Sequence, residues 1–408
     1  MISHTKPYPS KLNTALWTIC IVLMSTWLMV FSGDGSRNGL LVSFMYLSPL
    51  LLIISYLSYR EMSKTDFLII SIIFLMYVFA NIHYSSWRAS TFFYSSMFFI
   101  TYLYFYRLLY YGGLTIKHYI NVIRFLIILF FIGIVVQQIC LLIGIMPINF
   151  TQTEFMRIDD SSQLRINSLA PEPSHVARFV LVFMISYLAM KSTVLGRKYN
   201  FKKDMKSDSA IWICYLWSML TIGSTTALLY VGLTLVPYLT RKNIIYLISG
   251  GFIIYFIFSN YDTRSVSRAQ SFLPAILEFN IDKMFEADAS GAWRVAPVIV
   301  LFQHFDWFSL NALIGHGIDY QFKLCQIYLN APDGAPDGGF FAVMMNYGII
   351  VFSLILLLIF HCCYTKSTKF EFYIILVLVL PFLGLNTQLF WCCLMFMATN
   401  KYFIENTI

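Results

Sequence analysis

Six side chains in two polar stretches have the types and spacing to hold an anion and move a proton. The first stretch carries Arg165, Glu172, His175 and Arg178; the second carries Arg294 and ends near Asp337. An arginine presents a planar fork of donors that matches phosphate oxygens. Carboxylates and imidazoles take protons from attacking hydroxyl groups. Pro173 and Ser174 read as the start of a helix with Ser174 as its N-cap, which puts Arg178 one turn inside an apolar run. An arginine at that depth is costly and marks a functional site, unless it snorkels or pairs with Glu172. Ser290 is placed to cap a helix whose first turn carries Arg294. A helix N-terminus beside an arginine suits a phosphate; the other reading of Arg294 is an arginine among lipid headgroups. Asp337 either caps the apolar run that follows it or stands at the mouth of a cavity as a base.

These residues sit in a chain built for lipid. It is 59% hydrophobic and only 12% charged, with a mean hydropathy of +0.70, about half the charge of an ordinary soluble domain. Apolar runs of roughly 15 to 24 residues recur along it, which predicts an all-α polytopic membrane protein rather than a β-barrel. The first run, Ala15–Phe31, has no cleavage site after it and reads as a retained span. Further spans are expected at Leu40–Tyr59, Phe67–Ile82, Thr91–Tyr106, Ile120–Ile145, Ser174–Met190, Ile244–Phe258 and Phe340–Phe360.

Two apolar runs are too long for one span and too short for two full ones. Ala210–Thr240 is broken at Gly223-Ser224-Thr225. Both its flanks are basic, which requires an even number of crossings. It therefore reads as a short pair, Ala210–Ile222 and Thr226–Leu239. The hinge then lies below the membrane surface, where the Ser224 hydroxyl faces a protein-lined cavity. Phe372–Ala398 repeats the pattern around Pro381 and Asn386-Thr387-Gln388. The architecture expected is a single integral-membrane domain of about twelve transmembrane helices with two short-helix pairs. Two loops complete it: Pro147–Pro173 and a large one, Ser259–Gly339, carrying interfacial helices. The segment Arg264–Phe279 is amphipathic and kinked at Pro274. The large loop is expected to close over the Arg165–Arg178 segment.

Charge sets the orientation. In this topology seventeen of the 28 lysines and arginines fall on the side of the termini and nine on the other. The positive-inside rule then makes both termini cytoplasmic and both polar loops periplasmic or extracellular. Orientation thus accounts for most of the formal charge of +8, which is not a nucleic-acid signal. Arg124, one turn inside its span, should reach back to the lysine-rich side. Of the eight cysteines, seven lie in or beside apolar runs and behave as small hydrophobes. No metal-ligand spacing, Walker loop, dinucleotide fingerprint, HExxH or nucleophile elbow is present.

The order of the polar motifs resembles the Wzy-type O-antigen polymerase family, in the superfamily shared with O-antigen ligases. The resemblance rests on Arg165 followed by Pro171-Glu172-Pro173-Ser174, and on the hinge Thr221-Ile-Gly-Ser224-Thr225-Thr226-Ala227. It rests also on Arg294 followed by Leu313-Ile-Gly315-His-Gly317, and on Asp337-Gly338-Gly339-Phe340 leading into Tyr347-Gly348-Ile349-Ile350. It covers roughly residues 165 to 350; the first five spans match only in hydropathy. It implies an inverting glycosyl transfer at the periplasmic face of a bacterial inner membrane, from an undecaprenyl-pyrophosphate-linked glycan donor to a lipid-linked acceptor. Arg165, Arg294 and then Arg178 would bind the pyrophosphate, with Ser224 lining the site. Glu172 would be the base, followed by Asp337 and His175. No cofactor or metal is implied; the partners implied are membrane lipids and a chain-length regulator protein. Glu-Pro-Ser, and Asp337 where the ligase-like pattern has histidine, favour a polymerase over an O-antigen ligase. A flippase or transporter is the rival from another class, but the internal repeats such proteins often carry are not evident.

Overall fold

The computed structural model describes residues 11–27, 38–83, 89–151, 166–238, 271–272, 274–331 and 338–407. It is 79% helical and has no strand among the described residues, which makes the protein all-α. The first helices are α1 (Lys11–Ser25), α2 (Gly39–Ser58), α3 (Lys64–Ile82), α4 (Ala89–Tyr111), α5 (Ile116–Leu142) and α6 (Pro173–Leu195). Their starts are chemically marked. Asn38 caps α2, Ser63 and Asp66 form a capping box on α3, and Thr115 caps α5, each satisfying amides that have no partner within the helix.

A short α7 (Phe201–Asp204) precedes α8 (Ser209–Thr221) and α9 (Thr225–Leu235), which a 3-10 turn extends through Tyr238. Gly223 turns the chain at φ +71°, the left-handed region that glycine enters without strain. Tyr215 and Thr234 meet hydroxyl to hydroxyl at 2.7 Å and tie the returning arm to the outgoing one. The short pair thus lies where the Gly-Ser-Thr break places it. Then come α10 (Ile281–His304), α11 (Leu310–Ile314), α12 (Tyr320–Leu329), α13 (Ala342–Cys363), α14 (Lys369–Leu378) and α15 (Gln388–Thr407). The second apolar run is broken as expected between Leu378 and Gln388. Its return arm, α15, is corrected from a short span to a helix of 20 residues. The expected span Ile244–Phe258 lies outside the described residues, as does most of Arg264–Phe279, of which 271–272 and 274–277 are helical.

Five segments are long and apolar enough to cross a membrane: α2, α3, α5, α6 and Gly339–Cys363. They differ in place. The most apolar window of α6 is 72% buried and that of α2 only 22%, so α6 is central and α2 peripheral. Leu47, Leu50 and Leu57 of α2 are exposed accordingly, as lipid-facing side chains should be. At the centre α15 packs on α6, α13, α1 and α4. Asn400 of α15 donates to Ser186 at 3.0 Å and accepts from Tyr119 at 2.9 Å, joining α15, α6 and α5 inside the core.

Several charges at the lysine-rich end are paired. Arg124 reaches Asp208 at 3.3 Å and Lys191 reaches the same oxygen at 3.0 Å. Arg107 and Asp66 form a buried ion pair at 3.2 Å, each side chain at most 1% exposed. Arg107 also donates to the Ser55 hydroxyl and to the carbonyls of Tyr59 and Glu61, so four groups converge on one guanidinium and fix the turn between α2 and α3.

Candidate functional site

The opposite end of α6 holds the unusual polar chemistry. Glu172 has the extended backbone of an N-cap residue and Pro173 occupies the first turn. This corrects the expectation that Ser174 is the cap. Ser174 lies inside the helix, and its hydroxyl donates to Glu172 Oε2 at 3.2 Å. Arg294, from α10, donates through Nη2 to Ser174 Oγ at 3.0 Å and lies 3.5 Å from Glu172 Oε2. Both charged side chains keep some access, 25% for Arg294 and 32% for Glu172, so a ligand reaches them without unfolding the site.

The helix that delivers Arg294 is built differently from expectation. Asn280 caps its start through Lys283 N–H. Ser290 is not a cap. The break lies two residues earlier at Asp288, whose φ of −155° and ψ of 96° interrupt the helix. Gly291 fits under the Asp288 carboxylate: a Cβ there would stand 3.0 Å from Asp288 Oδ2 and 2.9 Å from the Phe272 ring. Arg294 therefore lies in the second turn of a helix that restarts at Asp288, near its positive end. Burial and the like charge of Arg178 push the Arg294 guanidinium below its ordinary value, with Glu172 and Asp288 opposing.

Arg178 is one turn below Ser174 on α6 and 3% exposed. Its Nε is buried and has no hydrogen-bond partner. The expectation that it pairs with Glu172 is not met, because the cation beside Glu172 is Arg294. A buried guanidinium with no ion-pair partner among the described residues is costly and creates a strong demand for an anion. His175 is half-buried with its Nδ1 unpartnered, and it lies in the field of Glu172, Arg178 and Arg294. The structure thus brings Glu172, His175, Arg178 and Arg294 together.

Among the described residues, Ser224 makes no hydrogen bond to these four. Ser224 Oγ lies 2.6 Å from Thr226 Oγ1 and serves its own hinge. The neighbour that α9 does contribute is Tyr230, which is buried, acts electrostatically on Arg294, and donates to the Leu378 carbonyl at 3.3 Å. Arg165 and Asp337 lie outside the described residues, but the residues next to them are anchored. Gln137 of α5 accepts from the amides of Asn167 at 3.1 Å and Ser168 at 2.8 Å, and Ser168 Oγ donates to the Phe130 carbonyl at 2.9 Å. The chain leaving Arg165 is therefore clamped to a span. Gly338, after Asp337, lies against Pro297 of α10.

Three contributors escaped sequence reasoning: Ser174 as bridge, Gln137 as clamp and Tyr230 as neighbour. Gln137 carried a signal, since an amide deep in the apolar run Ile120–Ile145 requires polar partners. Ser174 and Tyr230 carried none. Chemically, the site offers two guanidiniums for an anion, a carboxylate hydrogen-bonded to a hydroxyl, and an imidazole. Among the described residues no three His, Cys, Asp or Glu side chains gather to hold a metal ion. No protein-family model matches the chain, and no curated protein matches it either.

Proposed function

We propose that the chain is a surface-polysaccharide polymerase resembling the Wzy type. It would join undecaprenyl-pyrophosphate-linked repeat units at the periplasmic face of the inner membrane. The observation that carries this reading is the convergence at one end of α6 of Arg294, Glu172 and Arg178, whose buried Nε has no hydrogen-bond partner. A site with buried positive charge beside a carboxylate, in a chain with apolar helices facing lipid, suits a phosphorylated lipid carrying sugars. The arrangement of about twelve spans with cytoplasmic termini belongs to this proposal and rests on the basic bias of the loops.

In the reaction, a hydroxyl of the incoming repeat unit attacks the anomeric carbon of the growing chain. The bond from that carbon to the pyrophosphate oxygen breaks. Undecaprenyl pyrophosphate leaves with the electron pair, and the hydroxyl proton passes to a base. Arg294 and Arg178 stabilise the charge that develops on the leaving pyrophosphate; Arg165 is assigned the same task. Glu172 is the base. Its position beside Arg294 gives a sequence to the events: phosphate oxygens take up Arg294, and the carboxylate is freed to accept the proton. His175 and Asp337 are the next candidates for the base.

A gel of surface glycans from a deletion strain tests the proposal. Loss of a polymerase leaves lipopolysaccharide bearing a single repeat unit. Complete loss of attached O-antigen would instead identify a ligase or a flippase.

A further inference from the structure

The chain between α10 and α12 is built into α13 at a point that the polar site does not use. Gly348 interrupts α13 at φ +77°. Two carbonyls beside the break accept from the turn after α11. His316 N–H donates to the Met345 carbonyl at 2.7 Å, and Gly317 N–H to the Asn346 carbonyl at 3.2 Å. Two glycines permit this approach. A Cβ on Gly315 would collide with the Asn346 carbonyl, and one on Gly348 with the Leu313 carbonyl.

The depth of the contact follows from helix geometry. α13 has 22 residues, a length of about 33 Å against about 30 Å of hydrocarbon in a bilayer. Gly348 is six residues from its start at Ala342, about 9 Å along the axis. Interfacial segments sink about 5–10 Å into the boundary between headgroups and acyl chains. Irregular backbone is tolerated at such depth where protein satisfies it, and the carbonyls of Met345 and Asn346 do so here.

The outer surface of the same turn is apolar. From Trp307 to Leu313 every exposed side chain is apolar: Trp307, Phe308, Leu310 and Leu313, with Phe308 fully exposed. They are held stiffly. Trp307 stacks on Phe302 of α10 at 5.8 Å and meets Phe305 edge-on at 4.7 Å. Asp306 Oδ1 accepts from Phe308 N–H at 3.3 Å, and the Ser309 hydroxyl caps α11 by accepting from Ala312 N–H at 3.1 Å. Single exposed apolar residues are ordinary, but four on one fixed turn mark a surface that something covers. The occupant that fits is lipid. The turn is seated on a segment long and apolar enough to cross a membrane, whose Ile350 and Leu357 are themselves exposed, and tryptophan favours the level of the headgroups.

We infer that residues 307–313 form an apolar wedge set into the membrane interface, which fixes the C-terminal end of α10, the helix that carries Arg294, against lipid. The wedge is distinct from the amphipathic segment Arg264–Phe279, and its place in the membrane does not depend on the reaction catalysed.

Phe308→Cys and Leu310→Cys, each labelled with the polarity-sensitive dye NBD, test this in the full-length protein. The lipid is a nanodisc of phosphatidylcholine and phosphatidylglycerol, open to water on both faces. Lys202→Cys, exposed at the lysine-rich end, is the aqueous reference, and the parent protein taken through the same labelling gives the background from native thiols. Both wedge labels should emit further to the blue than the reference. They should lose fluorescence when the lipid carries a nitroxide near the headgroup end of its acyl chain, and keep it in iodide. Iodide quenching at either wedge position would put the turn in water and overturn the assignment. Protection from both quenchers would mean that protein covers the turn, and would overturn it equally. Both replaced side chains are exposed, so unfolding temperatures should match the parent's; a fall would show that packing within the protein holds these side chains, against a place in lipid.

Discussion

Arg294 donates to Ser174 at 3.0 Å across a sequence separation of 120 residues. The contact joins a helix outside the five segments long and apolar enough to cross a membrane to the first turn of the most buried of them. Because Ser174 also donates to Glu172, a change at any one of the three alters the other two. The site is a unit, and its substitutions should be non-additive.

Arg294→Ala should reduce polymer in a surface-glycan gel by about 100-fold or more, the range for removing a charge-stabilising donor. Protein levels should stay normal, and the single-repeat band should remain. Arg165→Ala should give the same pattern. Arg294→Lys should restore only part of the ladder, since lysine lacks the planar fork. Full ladders from both alanine variants would remove these arginines from the mechanism.

Arg178 separates function from stability. Exchange for methionine removes a buried charge that has no ion-pair partner among the described residues and keeps most of the volume, so Arg178→Met should unfold several degrees higher than the parent, while glycan polymerisation is lost. A lower unfolding temperature would mean that Arg178 serves the fold.

Asp66→Asn gives the opposite result. It weakens the counter-charge of a guanidinium buried at the far end of the molecule, and removing a partner of such a pair costs about 3 kcal/mol. The unfolding temperature should drop, and the polymerisation that remains per folded molecule should be normal. Stability equal to the parent would show that the carbonyls of Tyr59 and Glu61 suffice.

His316 should make stability depend on pH. Burial lowers its pKa, helped by the like charge of His83 and opposed by a hydrogen bond to the Met345 backbone and by Asp306. A histidine lowered on folding binds its proton more readily when unfolded, so its stabilising contribution is present above about pH 6.5 and declines as pH falls below that value. Between pH 7 and 5 the parent should lose more unfolding temperature than His316→Gln. Parallel curves would show that His316 does not titrate differently on folding.

How much of this was legible follows from which rules act locally. The apolar runs and the glycine at 223 specified the helices and the first short pair, because length, hydropathy and a left-handed turn are properties of neighbouring residues. The grouping of Glu172, His175, Arg178 and Arg294 was expected from charge in an uncharged background. The details failed where tertiary contacts chose between local options. Glu172 rather than Ser174 became the cap once Arg294 claimed the hydroxyl. Asp288 rather than Ser290 broke α10 where Gly291 packs against Phe272. Ser224 bonds to Thr226, and nothing in a sequence says which partner a hydroxyl will take.

The most direct measurement is the reaction itself. Purified protein in lipid vesicles is given undecaprenyl-pyrophosphate-linked repeat units extracted from the deletion strain, and both products are followed. The proposal predicts chains of several repeat units and one undecaprenyl pyrophosphate released for each linkage formed, both lost in Arg294→Ala and Glu172→Gln. Movement of the lipid-linked unit across the bilayer with no new glycosidic bond, or transfer only when lipid A core is supplied, would contradict it.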